Sequence, residues 1–166
     1  MDLVALIHQC TPPHVSVQTM GKIITVESTG RENAIGYKIV RSDGKVFTLT
    51  TQPKDKTEAI AWATWLYQNG FKFDAGPSQI NSTNFARLGL TTETVFDICT
   101  NIKKGGDILS ECYDRAYKQY QNEQIAVRHA LSCYQSGNFS TGYYTGYVDK
   151  VVKANFSIPA NETRKR

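Results

Sequence analysis

The chain has 166 residues, about the length of one ordinary domain. Hydrophobic residues make up 40% and charged residues 20%, with 12 Gly and 5 Pro, which excludes a disordered tail, a collagen-like rod and a coiled coil. The net charge of +4 is spread along the sequence apart from a terminal Arg164-Lys165-Arg166, so no basic stripe points to nucleic acid and the cluster reads as a solvated tail.

The longest unbroken apolar run, Leu3-Val4-Ala5-Leu6-Ile7, falls far short of the roughly 20 residues needed to cross a bilayer. It is also too short for a signal-peptide core, and Met1-Asp2 supplies no basic start. An exported protein is therefore expected to enter this sequence at its mature domain. Residues 16–28 read as a helix in which Val17, Met20, Ile24 and Glu27 recur at three- and four-residue intervals and share a face. Ser16 is its N-cap, and Gly30 follows as a stop. Residues 37–40 and 46–50 flank Ser42-Asp43-Gly44-Lys45, a hairpin signal with Asp-Gly in the turn.

Residues 56–69 form a helix ended by Gly70, and 73–81 are expected to be irregular because Gly76-Pro77 bars a helix through them. Further helices fit 101–119, 123–134 and roughly 144–155, with a glycine- and aromatic-rich loop over 136–143. Many helices and one small hairpin predict an α+β domain dominated by helix.

Four cysteines, Cys10, Cys99, Cys112 and Cys133, contain no C-x-x-C pair, so zinc spacing is absent and disulfides or buried thiols remain. Three pairings are open. Placing Cys112 and Cys133 on neighbouring helices lets them face each other and leaves Cys10 for Cys99, an arrangement that fits an exported protein.

Three groups of residues carry possible chemistry. Glu27 ends the apolar face of its helix, where scarce water and the negative end of the helix dipole both raise a carboxyl pKa. A general acid near neutral pH is the functional reading, and a solvent-facing glutamate is the plain one. Ser78-Gln79-Ile80-Asn81 offers side-chain amides suited to sugar hydroxyls and acetamido groups, or is simply a turn. Tyr134, Tyr143, Tyr144 and Tyr147 supply flat apolar faces with polar tips, suited to a pyranose ring or to capping the core. His8, His14 and His129 lack metal-ligand spacing, and no phosphate loop, dinucleotide fingerprint or nucleophile elbow is present. No cofactor is expected.

These signals fall in a familiar order. Val26-Glu27-Ser28, Gly76-Pro77-Ser78-Gln79-Ile80-Asn81, Ala130-Leu131-Ser132-Cys133-Tyr134 and Gly146-Tyr147-Val148 resemble the lytic transglycosylase domain. More narrowly they resemble the small transglycosylases of type IV secretion and conjugation systems, a subgroup whose habit Phe96-Asp97-Ile98-Cys99-Thr100-Asn101 and Gly137-Asn138 also match. The likeness spans roughly residues 10–152. It implies a goose-lysozyme-like fold over residues 1–155 with a polar basic tail at 156–166, and cleavage between N-acetylmuramic acid and N-acetylglucosamine in peptidoglycan.

By position, Glu27 would be the single acid/base, protonating the glycosidic oxygen and then taking the proton of the muramic acid's primary hydroxyl as a 1,6-anhydro ring closes. The resemblance also implies assistance by the substrate's acetamido group. Gln79 would line the cleft, Tyr147 would stand near the acid, and Ser28 would support the loop after its helix. Ile80, Asn81, Tyr134 and Gln135 complete the implied substrate-binding set. The implied partners are peptidoglycan strands and secretion-channel proteins, and the implied location is the periplasm or cell envelope.

Two residues depart from the pattern: Pro77 stands where an aliphatic residue is usual, and Gln135 where asparagine is. A two-carboxylate glycosidase needs a second acid at a defined distance, and no obvious partner follows Glu27. A hydrolytic muramidase would need folding to bring Asp74 or Asp43 near it. A non-catalytic glycan-binding assembly factor is the alternative of a different class.

Overall fold

The computed structural model describes residues 2–157. The chain begins with helix α1, Leu3–Cys10, capped by the Asp2 side chain on the Ala5 N–H. Of the apolar run in this helix, Ile7 is buried, and Leu3 and Leu6 pack partly buried against the core. Helix α2 spans Val17–Ser28 with Ser16 capping it, and Val17, Met20 and Ile24 are buried on its inner face.

Strands β1 (Ile35–Val40) and β2 (Val46–Thr48) form the expected hairpin around Gly44. Helix α3, Lys56–Gln68, is capped by Asp55 and buries Ala59, Ala63 and Leu66. The stretch expected to be irregular contains β3 (Phe73–Ala75) and β4 (Ile80–Asn81), which pair antiparallel on either side of the Gly76–Gln79 turn. β3 also pairs with β1, so the hairpin grows into a four-stranded antiparallel sheet in the order β2-β1-β3-β4. Strands this short carry almost no alternation of their own, and the pairing across the turn defines them.

After the short helix α4 (Phe85–Leu88) come the long α5 (Ile98–Tyr120) and α6 (Glu123–Ser136). Asp97 and Asn122 cap them, and each accepts from the backbone N–H three residues on. The last helix, expected over roughly 144–155, is the shorter α8, Tyr147–Lys153, and the stretch expected to be a loop holds a further short helix, α7, Thr141–Tyr144. Gly146 between them has φ 79°, a left-handed conformation that suits glycine and stops one helix before the next begins.

The disulfides are Cys10–Cys99, joining the end of α1 to the start of α5, and Cys112–Cys133, joining α5 to α6. Met20, Ile23, Ile102, Phe73 and Phe85 are among the fully buried residues of a core shared by helices and sheet. Phe156 packs against that core and accepts a hydrogen bond from Gln18, so ordered packing runs past the expected start of the tail. The Arg164-Lys165-Arg166 cluster lies outside the described residues. Among the described residues, no helix is long and apolar enough to cross a membrane.

Candidate active site

Glu27 sits in the last turn of α2, one residue before the buried Ser28. The turn is tied to the Gly-Pro loop: the Ser28 hydroxyl donates to the Pro77 carbonyl at 2.8 Å and accepts from the Gly30 N–H at 3.1 Å. Two other helices grip the same loop. From α5, the fully buried Asn101 donates to the carbonyls of Ala75 and Val95 and accepts from the Ser78 N–H at 2.8 Å. From α6, the Tyr134 hydroxyl donates to the Ser78 carbonyl at 2.6 Å. Gly76, at φ 77°, is required here because a Cβ would overlap the Asn101 amide.

Gln79 is itself left-handed at φ 49°, and its amide donates to the carbonyls of Ala34 at 3.1 Å and Gly76 at 3.0 Å. The amide expected to reach toward a ligand thus uses its donors to fasten the loop to β1's approach. Asn81 likewise spends its N–H on the Asp74 carboxylate at 3.0 Å, and its carbonyl accepts from the Thr83 N–H and hydroxyl.

Glu27, Gln79, Ile80, Asn81, Tyr134, Gln135 and Tyr147 line one cleft of about 320 Å³, together with Asp74, Asn84, Thr145 and Lys150. Ser28 stands behind the wall as a fastener. Asp43 lies elsewhere, on the β1–β2 turn, where it accepts from the Lys45 N–H. Tyr143 and Tyr144 are exposed and are not among the lining residues.

The electrostatics of the cleft favour protonated acids. Burial pushes the Glu27 pKa up to about 7; the Tyr147 phenol pulls it down in part, and the nearby Asp74 charge pushes it further up. Burial also raises Asp74, against the hydrogen bond from Asn81. The phenols of Tyr134 and Tyr147 are pushed well above their ordinary value, first by burial and then by the Glu27 charge, so both remain neutral donors.

The Tyr147 hydroxyl is buried and faces Glu27, yet makes no well-formed hydrogen bond among the described residues. That leaves it able to donate either to the ionised acid or to a ligand oxygen between them. The exposed Gln135 accepts from the Thr145 hydroxyl at 3.0 Å, and its own N–H groups make no hydrogen bond among the described residues. A neutral acid at one end, a second carboxyl beside it and amide and phenol donors around them can protonate a leaving oxygen and stabilise the anion left behind. Among the described residues, no group of three or more His, Cys, Asp or Glu is placed to hold a metal ion.

Two contributors escaped the reading of the sequence. Asp74 is one of two acids that folding would have to bring near Glu27, and its signal is slight: it sits between the buried Phe73 and Ala75, where strand alternation turns it to the opposite face. Asn101 had a clearer signal: it is a polar residue on the stripe Ile102, Gly105, Leu109, Cys112 and Ala116, which is otherwise the buried face of α5.

The chain is 41% identical over 158 residues to the type IV secretion system protein virB1 of Brucella suis biovar 1, covering 92% of this chain and 63% of that protein. It is 32% identical over 146 residues to protein virB1 of Rhizobium radiobacter, covering 88% of this chain and 58% of that one. The chain thus spans about three-fifths of the length of these relatives. No solved structure matches. The family model described as the transglycosylase SLT domain matches residues 7–157, and the chain belongs to that family.

Proposed function

We propose that the protein is a peptidoglycan lytic transglycosylase that cleaves the β-1,4 bond between N-acetylmuramic acid and N-acetylglucosamine, with Glu27 as its single acid/base. The observation that carries this is a carboxyl with a pKa of about 7 lining a cleft in a chain of this family. At neutral pH a large share of Glu27 holds a proton, and the group remains a competent base once it has lost it.

Protonated Glu27 gives its hydrogen to the glycosidic oxygen as the bond to the muramic C1 breaks and an oxocarbenium-like centre develops. The Tyr147 phenol then faces a fresh carboxylate and donates to it. The muramic C6 hydroxyl attacks C1, its proton passes to Glu27, and a 1,6-anhydro ring closes with the acid restored. The SLT family, the two disulfides and the virB1 relatives support export to the periplasm or envelope, where local opening of the wall would serve a secretion apparatus and its channel proteins.

Asp74 gives one competing reading its footing, since a second carboxylate in the same cleft suits a hydrolytic muramidase that activates water. Mass spectrometry of purified sacculi digested by wild type and by Glu27→Gln decides between them. The expected wild-type products are one water lighter than hydrolytic ones, and the variant releases almost none. Reducing-end sugars without anhydro species would establish the hydrolase. Equal, negligible release by both proteins, with both still binding the wall, would make the chain a non-catalytic binding factor.

A further inference from the structure

The cleft continues beyond Asn81. A second cavity of about 480 Å³ adjoins the first and shares Asn81, Asn84, Ile108, Tyr134 and Gln135 with it. The two halves differ in charge. Two carboxyls, Glu27 and Asp74, line the first with one cation, Lys150, whereas three cations, Lys72, Arg87 and Arg115, line the second against the single carboxylate of Glu111.

Arg87 is taken up by Glu111, its Nη1 lying 3.2 and 2.9 Å from the two carboxylate oxygens. Lys72 and Arg115 have no carboxylate partner among the described residues. Arg115 is nonetheless held: its guanidinium lies 5.5 Å from the centre of the Phe139 ring, and Nη1 is 3.5 Å from Cys133 Sγ. Lys72 stands two residues before Asp74, with the fully buried Phe73 between, so alternation directs Lys72 and Asp74 to the same face.

We propose that this second half is a subsite for the carboxylates of peptides borne by the glycan, with Lys72 and Arg115 as the anion ligands. The proposal rests on the reading of the chain as a peptidoglycan-cleaving enzyme. Neutral sugars offer nothing to two unneutralised cations, one of them fixed in place by an aromatic ring. Where a peptide is attached, the muramic lactyl carboxyl is tied up as an amide, so the negative charge on the strand comes from the peptide itself. Arginine's planar fork matches a carboxylate, and lysine adds a mobile point charge. Exposed pairs of this kind are individually weak and salt-screened, so their effect falls on substrate choice rather than on the chemical step.

The test compares kcat/KM on three soluble strands at low salt: peptide-bearing, amidase-stripped, and peptide-bearing with the peptide carboxyls converted to amides. The wild type is expected to favour peptide-bearing strands over the other two by about fivefold, a preference that fades as salt is added. Lys72→Gln and Arg115→Gln should each bring the ratio toward one, with a thermal melt showing that Arg115→Gln is folded. Lys45→Gln, the same charge change on the β1–β2 turn, should keep the preference.

An unchanged preference in Lys72→Gln and folded Arg115→Gln would overturn the proposal, as would equal use of amidated and unmodified peptides. A preference for stripped strands would assign the cations to the lactyl carboxylate and overturn it too. Binding of the same strands by Glu27→Gln supplies a ratio that needs no cleavage. If the wild type cuts no strand of any kind, the functional reading fails, while that binding ratio still decides the subsite.

Discussion

The hydroxyl of Ser28 reaches the carbonyl of Pro77 across 2.8 Å, so the residue after Glu27 clasps the Gly-Pro loop behind the cleft wall. The same oxygen accepts from the Gly30 N–H, and the hydroxyl is wholly buried. Ser28→Ala therefore leaves a carbonyl and an N–H without their partner in a site poor in water. The expected loss is about 2 kcal/mol, a fall of roughly 4–8 °C in Tm for a chain of this size. Circular dichroism melts of the two proteins check it, and a Tm within a degree of wild type would contradict the clasp.

The raised pKa of Glu27 makes stability depend on pH with a definite sign. An unfolded glutamate titrates near 4.5 and the folded one near 7, so between these values the native state holds a proton the unfolded state has lost. Stability from this group is thus present at low pH and declines as pH rises from about 4.5 to 7, by on the order of 3 kcal/mol. Glu27→Gln cannot ionise and escapes the decline. Its melting temperature should exceed that of wild type at pH 8 and converge on it at pH 4. An equal gap at both pH values would mean that the carboxylate is well solvated. Activity should decline on the alkaline side with a midpoint near 7, since the first step needs the acid form.

Asp74 tests the one-carboxylate mechanism from the other side. Its charge adds to the proton affinity of Glu27, so Asp74→Asn should move the alkaline midpoint of activity to lower pH. Asparagine retains an oxygen that can accept from Asn81, which limits structural damage. If Glu27 alone does the chemistry, anhydro products persist and the rate at pH 6 changes little. If Asp74 activates water, the rate drops by roughly 100- to 10,000-fold at every pH. A pH–rate profile joined to product masses separates the two.

Much of the helical frame was legible in the sequence because each long helix carries its own signals. Ser16 caps where the sequence placed it, and the stripe Val17, Met20, Ile24 faces inward with Glu27 at its end; the caps Asp55, Asp97 and Asn122 emerge from the structure. β3 and β4 were not legible, since five residues in two strands hold no period, and their identity comes from β1 and from three side chains far along the chain. The same non-locality hid the duties of Gln79 and Asn81, whose amides look available for a ligand until the folded chain shows which carbonyl and carboxylate claim them. The cationic half of the cleft was invisible for the same reason: Lys72, Arg87 and Arg115 are scattered in sequence and meet only where β3, α4 and α5 converge.

The two bridges should differ in how much they stabilise. Cys10–Cys99 closes a separation of 89 residues and Cys112–Cys133 one of 21. Loop-closure entropy gives about 4.5 and about 3 kcal/mol respectively. Serine pairs at each bridge, melted without reductant, should rank in that order, with the Cys10/Cys99 pair the less stable. The reverse ranking would show that tying α5 to α6 does more than close a loop.

Asn101 offers the sharpest test of how the cleft is built. Its amide donates to the carbonyls of Ala75 at 3.0 Å and Val95 at 2.8 Å while its oxygen receives the Ser78 N–H, all in a fully buried site. Asn101→Ala orphans three backbone groups, for an expected loss of about 3–5 kcal/mol. Asn101→Asp has nearly the same shape and keeps the acceptor, so a role in filling space alone predicts that it is tolerated. A role as donor predicts otherwise: an aspartate oxygen would then face two carbonyl oxygens, and the loss at pH 8 should match or exceed that of alanine. Lowering the pH to 4 protonates the aspartate and restores one donor, so part of its stability should return while alanine's deficit relative to wild type stays. Denaturant unfolding of the three proteins at the two pH values measures this directly, and an aspartate variant as stable as wild type at pH 8 would show that the loop is held by packing.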